Sequence, residues 1–443
     1  TKTTDEAGGG HAHSGMVIVP SGSPWGKKYD NSVLAINLHG QRINRDRLVR
    51  EGATYSGKHA EDFMRASDPW FRGVELHFGP HGTLYIADWS DVGECHENDG
   101  VHRTSGRIYQ IRPSREEKQR LEFERFGRVS TANNEQLTGV FSSEQPWLTF
   151  RAIRLLAERA SAGEDLTDAR KTLRDNFVFS TRSIAQRLPA LWALHASGGC
   201  SEELLKKLLD APSENVRAWA VRLLAEDGSL SPQIQTRLSK MAESEKSGLV
   251  LTYLASTMNR LSYDQRWSIG EQLIQHDEFA DDRVFPLMVW YAIEPALISN
   301  PESAVSLAVN SKLPLVRELV ARRLTEEIER SPQTVDQLVE ALGGDNLSDA
   351  QKHDILHGMT DALRGWRKAP QPNQWQQTSL ALAKSSSDNW RGSCRWSLET
   401  DERWMSSGKS PKTTACLWKN VVQPFEHSSS PETKRSLLIF KTY

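Results

Sequence analysis

Residues 70–112 read WFRGVELHFGPHGTLYIADWSDVGECHENDGVHRTSGRIYQIR, and three short strand patterns lie inside them. Val74, Leu76 and Phe78 alternate with Glu75 and His77, the two-residue period of a strand with one buried face. Gly79-Pro80-His81-Gly82 predicts a tight turn, because proline fixes φ and glycine tolerates a positive one. Leu84-Tyr85-Ile86-Ala87 is a second strand ending at Asp88-Trp89, and Gly106 to Ile111, beyond a polar loop, is a third. Strand, turn, strand, loop and strand make an antiparallel meander, the unit from which a propeller blade is built.

Upstream, Met16 to Val19 and Ser32 to Leu38 read as strands, and His39-Gly40 as a hairpin turn into a strand over Gln41 to Leu48. Arg50 to Pro69 reads mostly as loop. Residues 1–113 thus supply about two blades, whereas a propeller closes with roughly four to eight. Two blades alone leave open sheet edges that invite aggregation. The chain opens Thr-Lys-Thr-Thr without methionine, so the expectation is the C-terminal part of a longer propeller, a fragment of its parent.

From Ser114 the period changes. Residues 114–140 are charged and suit a helical linker. Amphipathic patterns then follow in series: Trp147, Phe150, Ile153, Leu155 and Leu156; then Leu204, Leu205, Leu208 and Leu209; then Val216, Trp219, Ala220 and Leu223. A loose repeat joins 150–158 (FRAIRLLAE), 216–226 (VRAWAVRLLAE) and 316–324 (VRELVARRL). Short helices repeated in this way stack face to face into an α-solenoid, so residues 141–384 are expected to form HEAT-like repeats. The predicted class is a β plus α multidomain chain, a partial propeller followed by that solenoid. Residues 385–443 follow no period, with Trp390, Trp396, Trp404 and Trp418 scattered through polar sequence. They are expected to be an irregular tail, read out of frame.

A formal net charge of −2 over 443 residues gives no electrostatic case for nucleic acid. No apolar run approaches the ~20 residues of a membrane span. Cys95, Cys200, Cys394 and Cys416 contain no C-x-x-C pair, which excludes a zinc ribbon, a thioredoxin-like motif and a covalent haem c site. There is no G-x-S-x-G elbow and no phosphate-binding glycine loop.

The segment Gly79-Pro80-His81-Gly82-Thr83-Leu84-Tyr85, taken with His11-Ala12-His13-Ser14-Gly15 upstream and the helical series downstream, resembles quinoprotein glucose dehydrogenase-like propellers. It is most similar in layout to the membrane-bound dehydrogenase family of planctomycete and verrucomicrobial type: a propeller, HEAT-like repeats, then usually a haem c domain. The resemblance implies a periplasmic or secreted protein. It also suggests pyrroloquinoline quinone and Ca²⁺ as cofactors. Arg72 matches the second of two arginines that contact the quinone carboxylates in such propellers. Trp70 stands in place of the first arginine, and Pro20 in place of a lysine.

His11 and His13 precede a strand expected near the propeller channel, and are the candidate proton acceptors or metal ligands. A His-x-His pair on a strand needs a third ligand from elsewhere to hold a metal. Arg72 is the candidate cofactor contact, since a guanidinium donates two parallel hydrogen bonds to a carboxylate; its alternative role is an ion pair between blades. His39 and His81 read as turn residues. Asp88, Asp91, Glu94, His96, Glu97 and Asp99 crowd one loop, whose carboxylate oxygens are of the kind that suits Ca²⁺, though without EF-hand spacing. Trp192, Arg217, Trp219, Arg222, Trp290 and Tyr291 read as core aromatics and inter-repeat arginines, or as a concave protein-binding surface.

Two functions follow. In the first, the parent oxidises a sugar or other alcohol and passes electrons to haem c; His11 or His13 takes the hydroxyl proton, and this chain alone is inactive. In the second, the propeller is an inert binder of glycan or protein, and the helical array docks partners.

Overall fold

The structure, a computed structural model, describes residues 12–21, 23–79, 82–91, 104–113, 128–143, 145–366 and 369–385. His11, His81, Cys95, most of the acidic loop, most of the charged linker, and Cys394 and Cys416 in the tail lie outside the described residues. The chain groups into two compact units, Thr1–Ala296 and Leu297–Tyr443.

Among the described residues the first unit begins with seven strands: β1 His13–Ile18, β2 Ser32–Asn37, β3 Arg42–Glu51, β4 Thr54–Arg65, β5 Gly73–Phe78, β6 Leu84–Asp88 and β7 Arg107–Ile111. They form two antiparallel meanders, ordered β1-β2-β3-β4 and β5-β6-β7. The stretch 70–112 yields the three strands its alternation predicts, paired Leu76 to Ile86 and Ile86 to Tyr109. The inward positions of both meanders meet in one core, in which Leu34, Ile36, Ile43, Phe71, Leu76, Leu84 and Ile86 are at most 2% exposed. Removing that apolar surface from water is the main driving force for the pairing. Strand β1 also lies against β5. A bulge between Ser14 and Met16 contains Gly15 at φ +50°, where a β-carbon would stand 2.7 Å from Glu75 Cα.

Strand β4 corrects the loop expected over residues 50–69. TYSGKHAEDFMR has little apolar alternation of its own, and its exposed and half-buried positions follow no clean period. Its partner decides it. β3 presents a full edge of backbone donors and acceptors, and β4 pairs with it from Glu51–Thr54 to Arg42–Arg65. Unmade backbone hydrogen bonds are costly once buried, so ladder formation overrides weak local preference.

Fifteen α-helices follow among the described residues. In the first unit they are α1 Asn134–Gly139, α2 Pro146–Ser161, α3 Thr167–Leu173, α4 Ile184–Ala196, α5 Glu202–Leu208, α6 Glu214–Leu224, α7 Pro232–Ser244, α8 Gly248–Met258, α9 Tyr263–Leu273 and α10 Phe285–Ile293. In the second they are α11 Pro301–Asn310, α12 Pro314–Glu326, α13 Pro332–Gly343, α14 Asp349–Ala362 and α15 Trp375–Ser385. Their starts are written in the sequence. Ser201, Ser231, Ser247, Asn300 and Ser348 each accept a hydrogen bond from an amide in the first turn, and Pro232 and Pro301 fill first helical positions. Such caps satisfy amides that no helical turn can reach.

The packing is that of helical repeats. In the first unit α2, α4, α6, α8 and α10 pack each on the next, and α7 packs on α9 beside them. In the second, α12 packs on α14, and α11, α13 and α15 pack in turn. One predicted helix face is corrected. In α2 the buried residues are Leu148, Thr149, Ala152 and Leu156, while Phe150 is 56% exposed. Phe150 finds a partner at the surface instead, its ring stacked on Trp192 of α4 with centroids 6.2 Å apart.

The strands and the first helices are joined by a dock. The β3–β4 hairpin tip reaches the helices, where Ala53 is 1% exposed and lies against Gly248 of α8 and Phe279. The Ala53 amide donates to Asp282 Oδ2 at 2.7 Å, while Asp282 Oδ1 accepts from the Val284 and Phe285 amides at 2.9 Å each. Arg50 of β3 adds an ion pair to Glu214 of α6 at 3.7 Å.

Candidate functional site

His13 begins β1 with its side chain exposed. Its Nε2 lies 3.0 Å from Asn44 Oδ1, two strands away on β3. Asn44 is 4% exposed, and its Nδ2 donates to Asp62 Oδ1 of β4 at 2.8 Å. A carboxylate can only accept, so the asparagine must turn its amide nitrogen to Asp62 and its oxygen to His13. The His13 nitrogen facing that oxygen then carries the hydrogen, and in the neutral ring the lone pair is on Nδ1. Asp62, whose side chain is 6% exposed, is itself held by Arg42 Nη1 at 3.2 Å and Arg65 Nε at 2.9 Å. The relay from His13 to Asp62 thus fixes a tautomer and a ring orientation, which is what a proton-accepting histidine requires. Beside it, an open groove of about 660 Å³ follows β4 from His59 to Arg65. One strand alone lines it, so it is a sheet edge and not an enclosed ligand cavity.

Arg72 sits just before β5 and is 8% exposed. Its Nη1 donates to the carbonyls of Pro69 at 3.0 Å and Phe71 at 2.9 Å. The guanidinium therefore closes its own loop. The segments of His13 and Arg72 do adjoin, since Ser14 Oγ donates to Gly73 O at 3.3 Å.

Asp88 is similarly committed. Its fully buried carboxylate accepts from the Arg72 amide at 2.7 Å, the Ser90 amide at 3.0 Å and Arg107 Nε at 2.8 Å. It locks the end of β6 to both neighbouring strands. Arg107 also reaches Asp68 at 2.5 Å. The Trp70 amide and this guanidinium hold the Asp68 carboxyl below its usual range.

In the helices, Arg217 of α6 forks onto Glu245 with both contacts at 2.8 Å and donates to the Ala211 carbonyl at 2.9 Å. It ties successive repeats together. Trp192 and Trp219 lie 5.0 Å apart, and Arg222 caps Trp219 at 4.8 Å. Cys200 is partly buried, and burial pushes its thiol up to about 12.

Asn44, Asp62 and Arg42 escape sequence reasoning because they share no motif. One signal was present: Asn44 lies inside Ile43-Asn44-Arg45, and asparagine is disfavoured in strands unless its amide is used.

Residues 2–129 match a domain of unknown function (DUF7133). The matched domain holds all seven strands, His13, Asn44, Asp62 and Arg72, and takes up under a third of the 443-residue chain. Nearly all of the helical series lies outside it. No curated protein matches the chain.

Proposed function

We propose that the two meanders are consecutive blades of a β-propeller, followed by HEAT-like repeats, in a periplasmic or secreted protein that oxidises a sugar or other alcohol and delivers electrons to a haem c partner. The observation that carries this reading is the His13–Asn44–Asp62 relay. A substrate hydroxyl placed at Nδ1 of His13 gives up its proton there, and the resulting imidazolium donates to Asn44 Oδ1. Asp62 keeps the amide turned so that this acceptor stays in place. General bases of this kind contribute roughly 10²–10⁴-fold.

Pyrroloquinoline quinone does not fit the residues that the resemblance assigns to it. Arg72 spends Nη1 on two main-chain carbonyls, and Trp70 and Pro20 stand where the other basic contacts belong. A buried Asp88 with three donors already on it is likewise a poor Ca²⁺ ligand. In this reading the hydride on the carbinol carbon goes to a two-electron organic acceptor that then passes single electrons to haem c, and the site of that acceptor is assigned outside these two meanders.

Dye-linked oxidation of a panel of sugars and alcohols by the native protein carrying this sequence tests the reading. Turnover that falls at least 100-fold in His13→Ala, and to a lesser degree in Asn44→Ala, is the expected result. Absence of turnover on every sugar and alcohol would sink it.

The internal use of Arg72 favours a second reading, a non-catalytic scaffold that binds glycan or protein. In that case titration calorimetry with oligosaccharides gives saturable binding that His13→Ala leaves unchanged.

A further inference from the structure

We propose that Glu318 on α12, together with His357 and Asp361 on α14, forms a binding site for a divalent transition metal of the Zn²⁺ class. The site stands apart from the oxidation reading and does not rest on it. One imidazole nitrogen and two carboxylate oxygens lie within 4.8 Å of one another. His357 and Asp361 are four residues apart on one helix, so their side chains rise from the same face one turn apart. Glu318 comes from the neighbouring helix, with Oε1 3.0 Å from His357 Nδ1.

The two helices are held unusually close at this point. A β-carbon at position 358 would stand 2.1 Å from the Glu318 carbonyl oxygen, so only glycine lets α14 approach α12 here. That contact fixes the backbone under two of the three ligands. The side chains are less constrained, at 49% exposed for His357, 29% for Glu318 and 18% for Asp361. Zn²⁺ takes nitrogen and carboxylate oxygen at about 2.0–2.2 Å, and small rotations of these side chains close the triangle to that size.

The donor set chooses the metal class. Ca²⁺ wants about 6–8 oxygens, whereas imidazole with carboxylates suits Zn²⁺, Co²⁺ or Cu²⁺. Two carboxylates beside a neutral imidazole balance the +2 charge. Three protein ligands on an exposed face leave coordination positions for water or an exchangeable ligand, the arrangement of an open site and not of a closed structural one. Two neighbours bear on the site. Arg364 pairs with Asp361 Oδ1 and competes with a cation for that oxygen. The His353 ring stacks on His357 at 6.1 Å and limits how the ligand ring can turn.

The test is titration of the chelator-treated, dialysed full chain with ZnCl₂, in wild type and in His357→Ala and Asp361→Asn. The visible spectrum of the Co²⁺-loaded protein is recorded in parallel. Expected is one saturable site of micromolar dissociation constant, weakened at least tenfold in each variant, with Co²⁺ ligand-field bands that His357→Ala abolishes. Far-UV circular dichroism confirms that the variants fold, since both residues reach solvent. Wild type without saturable Zn²⁺ binding overturns the proposal. So do equal affinity and an unchanged Co²⁺ spectrum in a folded His357→Ala variant, which would place the metal on other histidines of the chain.

Discussion

Replacing Asp282 by asparagine should release the β3–β4 hairpin from the helices while leaving α10 capped. In the wild-type protein one carboxylate oxygen accepts the Ala53 amide at 2.7 Å and the other accepts the amides of Val284 and Phe285. Asparagine has one acceptor oxygen, and two amides at the start of α10 compete for it. Its NH₂ then faces the Ala53 N–H, donor against donor. Ala53 is 1% exposed, so water does not replace the lost partner. Leaving such a donor unsatisfied costs about 1–3 kcal/mol. Asp282→Ala also removes the cap, adding roughly 0.5–2 kcal/mol. Hydrogen exchange by mass spectrometry reads the two effects apart. Peptides covering residues 48–56 should exchange about tenfold faster for each 1.4 kcal/mol lost, whereas residues 284–288 should be unprotected only in Asp282→Ala. Unchanged exchange over 48–56 in Asp282→Asn, with an unchanged urea midpoint, would refute the reasoning and show the dock to be held by apolar contact and the Arg50–Glu214 pair without need of the Asp282 hydrogen bond.

Other consequences can be checked directly. The Cys200 thiol, pushed up to about 12 by burial, should resist iodoacetamide at pH 8 until urea unfolds the chain, as peptide mapping of the label will show. The Glu245 carboxyl is lowered: burial opposes ionisation, but the Arg217 fork and the Ser247 and Lys246 amides outweigh it. A depressed carboxyl stabilises the fold above its unfolded pKa of about 4.3 and loses that contribution as pH falls through its lower folded value. Urea midpoints measured from pH 7 down to pH 3 should therefore fall less steeply in Glu245→Gln than in wild type, from a lower starting value. Gly358→Ala sets a methyl group 2.1 Å from a backbone oxygen, and should lower stability by about 1–3 kcal/mol through overpacking; a wild-type melting temperature would show that α12 and α14 can part without cost.

The sequence was most legible where a period repeats. Leu34 and Ile36, Leu84 and Ile86, and the leucines of α5 stand at strand or helix spacing, and each is buried as that spacing requires. Helix starts were legible because Ser, Asn and Pro announce them chemically. Phe150 misled because an aromatic ring can cover its face against another aromatic at the surface as well as in a core. The candidate site was half legible. His13 stood out beside Gly15, but Asn44 and Asp62 lie 31 and 18 further residues along in the pairings that matter, and no spacing in the chain marks them. Arg72 was conspicuous for a ligand role, and its neighbouring carbonyls show how readily a buried guanidinium serves its own loop.

By itself the sequence determined the order of the parts, strands first and helices after, because a two-residue and a 3.6-residue period are properties of the local chain. Only the tertiary structure decided that residues 54–65 are a strand, that the hairpin tip at Ala53 docks beside Asp282, and that the Asn44 amide turns its oxygen, not its nitrogen, to His13. Each of those depends on a partner distant in sequence whose unsatisfied hydrogen-bonding groups or apolar face exist only once the rest has folded.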